Sequence, residues 1–410
     1  MKGNEMGNTS STNQIPWLIL ICGCIIVLLS FGPRSAMGFY QLPILDDTGW
    51  HRSTFGLAIA IQNLSWGIGQ PIVGAIADRY GTWRVVALGG ILYALGLYFM
   101  AIADAPIYLH IGGGIMVGLG VATGSFSVIM AALARKTNPE HRSIIFGIAT
   151  AAGSLGMFIY APITKALINS LGWSDSLIYL AVFMLIIPLL AIPLYGNSQS
   201  APSKTDEFKQ SMGEALNESL HNKSYLLLIS GFFVCGFQVA FITAHFPAYL
   251  KDINMPDNTG VIAISLIGFF NILGSLGSGF IGQKYSKRIL LAWIYILRSI
   301  LVAAFLLLPQ TQLSVIIFSI LMGILWLSTV PPTNGIVALL FGTQYLALLG
   351  GIVFFSHQIG SFLGVWMGGV LYDLYGTYDV VWWLGVALGI FAAIVHWPIK
   401  EQAVERAATS

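Results

Sequence analysis

Apolar residues in this chain do not alternate with polar ones. They run on for about 20 residues or more at a time, the length a helix needs to cross the hydrocarbon core of a bilayer. Such runs occupy residues 16 to 41, 53 to 77, 84 to 103, 107 to 133, 143 to 168 and 173 to 195, and again 224 to 250, 258 to 282, 289 to 308, 313 to 340, 345 to 371 and 380 to 398. Between the two sets lies the one long polar stretch, Gly196 to Lys223, with Lys204, Asp206, Glu207, Lys209, Glu214 and Glu218. The pattern predicts an N-terminal tail over 1–15, a six-helix bundle over 16–195, a linker over 196–223, a second six-helix bundle over 224–398 and a tail over 399–410.

Composition sharpens this to an all-α membrane protein of twelve transmembrane helices. Of 410 residues 56% are hydrophobic and only 9% charged, with mean hydropathy +0.79, against about 25% charged in soluble domains. An outer-membrane barrel is excluded because its strands alternate polar and apolar positions. A net charge of +2 without a basic stripe gives no reason to expect nucleic acid as a partner. Cys22, Cys24 and Cys235 all fall inside apolar runs, where a thiol acts as a small hydrophobe, so neither disulfide, metal nor cofactor is expected. The first run is too long for a signal-peptide core and no small-residue cleavage pattern follows it, so insertion through the first helix is expected.

Basic residues set the orientation. With both termini inside, the inner segments hold 14 of the 19 Lys and Arg, while the outer loops hold Arg52, Lys165 and Lys251. The positive-inside rule therefore predicts a multi-pass protein of a bacterial inner membrane with cytoplasmic termini and linker. Arg34 and Arg298 are left within the membrane.

The halves also repeat. Gly74-Ala-Ile-Ala-Asp78-Arg79-Tyr80-Gly81-Thr-Trp-Arg84 follows the second run, and a degenerate copy beginning at Gly279 follows the eighth, 205 residues later. Two halves with a loop at the same place fit a parallel-repeat transporter, and the Gly74 to Arg84 segment resembles the signature loop of the major facilitator superfamily, G-x-x-x-D-R-x-G with a basic pair thinned here to Arg84. Gly74, Asp78, Arg79, Gly81 and Arg84 would then be a gating motif, its charges making contacts that close the cytoplasmic side and break when it opens. The plainer alternative is a positive loop that only sets topology.

A charge at mid-membrane costs at least about 2.5–3.5 kcal/mol on insertion scales and must face a cavity or a partner. No Asp or Glu lies at that depth, so neither arginine has a built-in carboxylate, and an anionic solute would supply one. Arg34 shares a helical face with Ser30 and Gln41, which favours a cavity; snorkelling to the outer interface is the alternative. Arg298 falls near the bilayer centre, where bonding to carbonyls of a neighbouring helix stands beside ligand contact. His245, one polar stripe along from Gln238, and His357, beside Gln358 and a turn from Ser361, are candidates for substrate binding or proton coupling, or else for ordinary interhelical hydrogen bonds. Further polar positions are Gln62, Trp66 and Gln70 on the second run, Asn271, Ser275 and Ser278 on the eighth, and Trp326, Thr329, Thr333 and Asn334 on the tenth, where Pro331-Pro332 breaks the helix and frees carbonyls.

Within the superfamily the chain resembles the monocarboxylate transporter branch, with oxalate/formate-antiporter-like bacterial members. Gly32-Pro33-Arg34-Ser35 is similar to that branch's Pro-Lys-Ser segment, whose lysine handles substrate and proton. Arg142 through Gly147-Ile148-Ala149 to Ala152-Gly153-Ser154 resembles its second signature, with one extra alanine. On the eighth run Asn271 and Ser275 stand where the branch commonly has an Asp and, four residues on, an Arg, which leaves Arg34 as the main candidate anion ligand. The resemblance implies a monomeric secondary transporter that moves a small organic anion of carboxylate type by alternating access, with proton-coupled uptake. Arg34 would be helped by Gln238, His245, Asn271, Ser275, Thr329, Asn334, His357 and Gln358. Export, or a larger siderophore-like chelate or amphiphile, is the alternative, favoured by the aromatic residues of these runs. An enzyme is not expected: H-E-x-x-H, G-x-S-x-G and an intramembrane carboxylate pair are missing.

Overall fold

In a lipid core every backbone N–H and C=O must find its partner inside the segment, so the apolar runs can only coil. The computed structural model describes residues 17–135, 142–195, 211–342 and 344–404, and among these no strand occurs. The 1–15 tail, most of the linker and the end of the C-terminal tail lie outside the described residues, as do the side chains of Asp78 and Arg142.

The first half starts with α1 (Trp17–Ser35), which carries Pro33 in its last turn, continues through a tight turn (Met37–Tyr40) and ends in α2 (Gln41–Thr48). Then come α3 (Arg52–Tyr80) and α4 (Thr82–Ala101). The next crossing is assembled from α5 (Pro106–Leu109), a π-helical segment (His110–Met116), α6 (Val117–Thr123) and α7 (Phe126–Arg135). α8 (Arg142–Met184) reverses at Gly172, whose φ of 81° a side-chain-bearing residue rarely adopts, and α9 (Ile186–Ala191) completes the half. A linker helix α10 (Met212–His221) opens on a capping box: Ser211 Oγ accepts from Glu214 N while the Glu214 carboxylate takes the Ser211 N–H at 2.8 Å. That bond holds the Glu214 carboxyl below its ordinary range.

The second half comprises α11 (Lys223–Asp252), α12 (Thr259–Lys284), α13 (Lys287–Leu307), α14 (Gln312–Leu325), α15 (Val330–Phe341), α16 (Leu346–Tyr375) and α17 (Asp379–His396). Among the described residues ten stretches are long and apolar enough to cross a membrane. One of them, Gly147–Leu194, has 48 residues and contains the reversal at Gly172, while the 29-residue α3 stands outside the ten. One buried core draws mainly on Leu20 to Leu194 and another on Tyr225 to Ile399.

The halves meet along α3 with α16 and α8 with α12, and through the turn at Met37–Tyr40 against α11. Small residues allow this. A Cβ on Gly56 would lie 3.1 Å from the Val365 carbonyl, and one on Gly268 would lie 2.8 Å from Phe158 N. Toward the ends assigned to the cytoplasm the fit relaxes: Gly74, Gly147, Gly277 and Gly351 all face open space.

α14 and α15 are one crossing broken at Trp326–Thr329, because Pro331 and Pro332 cannot donate to the turn before them. Both sides of the break are repaired by other helices. Arg298 of α13 takes the Leu325 and Trp326 carbonyls, and Asn271 Oδ1 of α12 accepts the Leu327 N–H at 3.0 Å.

Candidate functional site

Arg34 sits in the last turn of α1, half-buried. Its guanidinium lies over the Trp66 ring, 4.7 Å from the centroid, and one NH2 donates to Asn63 Oδ1, both partners coming from α3. Asn63 is in turn fixed by donating to the Ile59 carbonyl at 2.8 Å. Trp66 receives Phe31 edge-on at 5.4 Å and Phe354 of α16 at 4.9 Å. Phe354 stacks on His357 at 5.8 Å, and Phe232 of α11 packs on the other side of that imidazole at 5.0 Å. A continuous chain therefore runs from Arg34 in one half through Trp66 and Phe354 to His357 in the other. Gln358, fully buried, adjoins it: its Oε1 pairs with His357 Nδ1 at 3.2 Å, and its side chain fills the space left by Gly67 of α3.

Along this run of side chains from Arg34 to Gln358, three buried N–H donors have no partner: Arg34 Nε, Trp66 Nε1 and Gln358 Nε2. A buried donor left unmade costs about 1–3 kcal/mol, so three along one seam between the halves call for an acceptor-rich occupant.

Other candidates from the sequence lie elsewhere. Gln238 turns toward α13 and α17: its Oε1 accepts from Arg298 at 3.3 Å and its Nε2 donates to the Gly385 carbonyl at 2.9 Å. Thr329 Oγ1 meets the Cys235 thiol at 3.2 Å, part of the same Arg298 cluster. Arg298 is fully buried, with Nε and one NH2 on the Leu325 and Trp326 carbonyls and the other NH2 on Gln238 Oε1 and Cys235 Sγ, so it fastens α14 and α15. Asn271 joins the halves by donating to Ser154 Oγ at 2.9 Å, while its Oδ1 is filled by Leu327 N and by Ser275 Oγ at 3.1 Å. Asn334 is exposed near Gly350 on the inner side. Arg79 and Arg84 are exposed and lie over the rings of Tyr80 and Trp83, and the chain turns between α3 and α4 at Gly81, whose φ is 93°.

His245 belongs to a second constellation, at the helix ends that the basic residues predict to face outward. There the Arg52 fork grips Asp252 of the other half at 2.6 and 2.7 Å, lies 3.6 Å over the Tyr372 ring and donates to Tyr378 Oη at 2.9 Å. Asp373 caps the start of α3, accepting from Arg52 N at 3.1 Å and Ser53 N at 2.8 Å. His245 is fully enclosed between Gln41, Tyr378 and the Val365 carbonyl. Charged ties between the halves thus concentrate at this end of the helices among the described residues. Outside the tie, a cleft of about 210 Å³ is lined by Asp46, Lys165, Lys251 and Asp257, and the Lys251 ion pair holds the Asp257 carboxyl below its ordinary range.

Sequence reasoning missed Arg52, which reads as one more outer-loop cation, and passed over Asn63 and Trp66 as ligand-site residues. Their spacing on α3 with Gln70 was the available signal.

Comparison with known proteins agrees with this architecture. The Major Facilitator Superfamily profile matches residues 20–365. The chain is 26% identical over 383 residues to the uncharacterized MFS-type transporter YcxA of Bacillus subtilis (strain 168), covering 90% of this chain and 91% of that protein. It is 23% identical to monocarboxylate transporter 13 of Rattus norvegicus over 88% and 83% of the two chains. Its fold is similar to that of a D-xylose-proton symporter, with TM-score 0.73, 14% identity, and 95% and 100% of the two chains covered. With paired helical halves, a break-and-fasten crossing and a family match across most of its length, the chain belongs to the Major Facilitator Superfamily of membrane transporters.

Proposed function

We propose that this transporter carries a small organic monoanion, of carboxylate type, across a bacterial inner membrane by alternating access between its two halves, in twelve crossings with cytoplasmic termini. The observation that carries the reading is the set of donors without partners, Arg34 Nε, Trp66 Nε1 and Gln358 Nε2, on the seam between the halves. All three offer hydrogen and none accepts. A carboxylate supplies two oxygens with about four acceptor positions. The second arginine, Arg298, is already committed to carbonyls, so one positive charge is available and a monoanion matches it.

Co-transport of one proton makes entry of a monoanion electroneutral, avoiding about 2.3 kcal/mol per charge per 100 mV against a negative interior. His357 is the candidate for this proton, since it lies in the same aromatic chain as Arg34 and bonds Gln358. The lining by Phe31, Trp66, Phe354 and Phe232 supports a second reading, an amphiphilic anion with a bulky apolar body, carried inward or outward.

Uptake of radiolabelled aliphatic and aryl carboxylates into proteoliposomes, with an inward proton gradient, tests the proposal. Saturable uptake that is lost in Arg34→Gln supports it. Uptake of neutral sugars with no carboxylate transported would overturn it.

A further inference from the structure

We infer that His245 is a proton-sensitive latch of the outer gate: the halves close there only while its Nδ1 is free of a proton, and protonation favours the state in which they part. The donors and acceptors around the ring fix its tautomer. His245 Nε2 lies 2.8 Å from the Val365 carbonyl, which can only accept, so Nε2 carries the hydrogen. Nδ1 meets Gln41 Nε2 at 3.0 Å and Tyr378 Oη at 3.1 Å. Tyr378 Oη is itself 2.9 Å from an Arg52 N–H, which can only donate, so its own hydrogen is free to point at Nδ1. Both neighbours of Nδ1 donate, and Nδ1 is the acceptor.

A proton on Nδ1 would remove the lone pair to which Gln41 and Tyr378 donate, force both to turn, and bury a new cation near Arg52. The charged and titratable groups around the ring offer no relief. Asp252, on the ring's own helix, is held by both arms of the Arg52 fork, and Asp373 of α16 is spent on two backbone N–H groups. Tyr372 of α16 lies under the Arg52 guanidinium, while Tyr249 of α11 packs on Tyr378 at 6.2 Å and takes a bond from Gln310. Asp379 at the start of α17 is felt at Tyr249. Rotating the Gln41 amide exchanges its unpartnered Oε1 for an unpartnered NH2 and leaves the charge buried. Gln41 belongs to the first half and His245 to the second, so the strain falls on the contact between them. Once the halves part, water reaches the ring and can hydrate an imidazolium, so a proton binds there more readily than in the closed state. Acid outside therefore holds the outer gate open, and alkali lets it close. This acts on the gate whatever the cargo is.

Electron–electron distance measurement between spin labels at Asp46 and Asn258, both exposed on the outer rim of opposite halves, tests the latch. The labels are attached through a ketone-bearing unnatural residue so that the native cysteines stay. In liposomes the long-distance population is expected to rise severalfold from pH 8 to pH 5. His245→Gln, whose amide reproduces the neutral ring's donor and acceptor, should hold the short distance at both pH values. His51→Gln, on the same rim, should respond as the native chain does. Gln41→Glu should reverse the sign, because a carboxylate facing Nδ1 makes the protonated pair the closed form, and it decides the matter should His245→Gln fail to fold. An unchanged distance in the native chain, an undiminished response in His245→Gln, a response abolished by His51→Gln, or an unreversed response in Gln41→Glu would each overturn the inference.

Discussion

Arg298 gives the Leu325 carbonyl two bonds, at 3.1 Å from Nε and 2.6 Å from an NH2, at the point where the two prolines interrupt α14 and α15. The fully buried charge is there to mend a helix break. Arg298→Met strands carbonyls at about 1–3 kcal/mol apiece and is expected to lower the unfolding temperature in detergent by several degrees. The folded fraction should keep its ligand affinity within about twofold, because the substitution leaves Arg34 untouched. Lost affinity at unchanged stability would instead place Arg298 on the ligand.

Trp66 serves the proposed site twice, as the face beneath the Arg34 guanidinium and as an indole N–H without a partner. Trp66→Phe keeps a ring and removes the donor. A hydrogen bond to a charged group is worth about 1.5–3 kcal/mol, so binding of a carboxylate, followed by calorimetry, should weaken about tenfold or more. Trp66→Leu removes the ring as well and should weaken it further.

The Arg52 fork on Asp252 is the strongest charged tie between the halves among the described residues, and Asp252→Asn removes its charge while keeping its shape. The closed outer gate should lose about 1.5–3 kcal/mol relative to the open one. The spin-label distances across the outer rim are expected to lengthen, with uptake slowed at the closing step. The exchange Arg52→Asp with Asp252→Arg should restore part of the closed population, which a merely structural loss would not.

His357 carries the co-transported proton in this account, so it couples the proton gradient to uptake beside any gating by His245. With a proton carried beside a monoanion, uptake should rise as the outside is acidified and should not respond to membrane potential. His357→Gln is expected to uncouple uptake from the proton gradient and make any remaining uptake potential-sensitive. Liposomes with independently clamped pH and potential distinguish the two.

The helical frame was legible because lipid imposes one solution on a long apolar run. The break at Pro331-Pro332 and its need for a partner were legible too, for a residue without an N–H must leave carbonyls open. What the runs do not encode is rotation about each helix axis. Gln238, His245 and Asn271 are polar residues in apolar helices, as a site would require, yet in the structure they serve as glue: Gln238 to α13 and α17, His245 to Gln41 and Val365, Asn271 to Ser154 and the α14–α15 break. A polar side chain in lipid is equally well placed by a neighbouring helix as by a cavity, and only the packed structure says which. Arg52 was hidden for a related reason, since its partner Asp252 lies 200 residues away.

The central claim is that Arg34 holds the negative charge of the cargo, and the most direct measurement compares one carboxylate with its own primary amide on two proteins. The acid that most stabilises the native chain in a thermal screen is titrated calorimetrically, beside its amide, against the native protein and Arg34→Gln. The account predicts that the native chain prefers the acid by about 1.5–3 kcal/mol and that Arg34→Gln loses that preference. An equal preference for the acid in both proteins would contradict it.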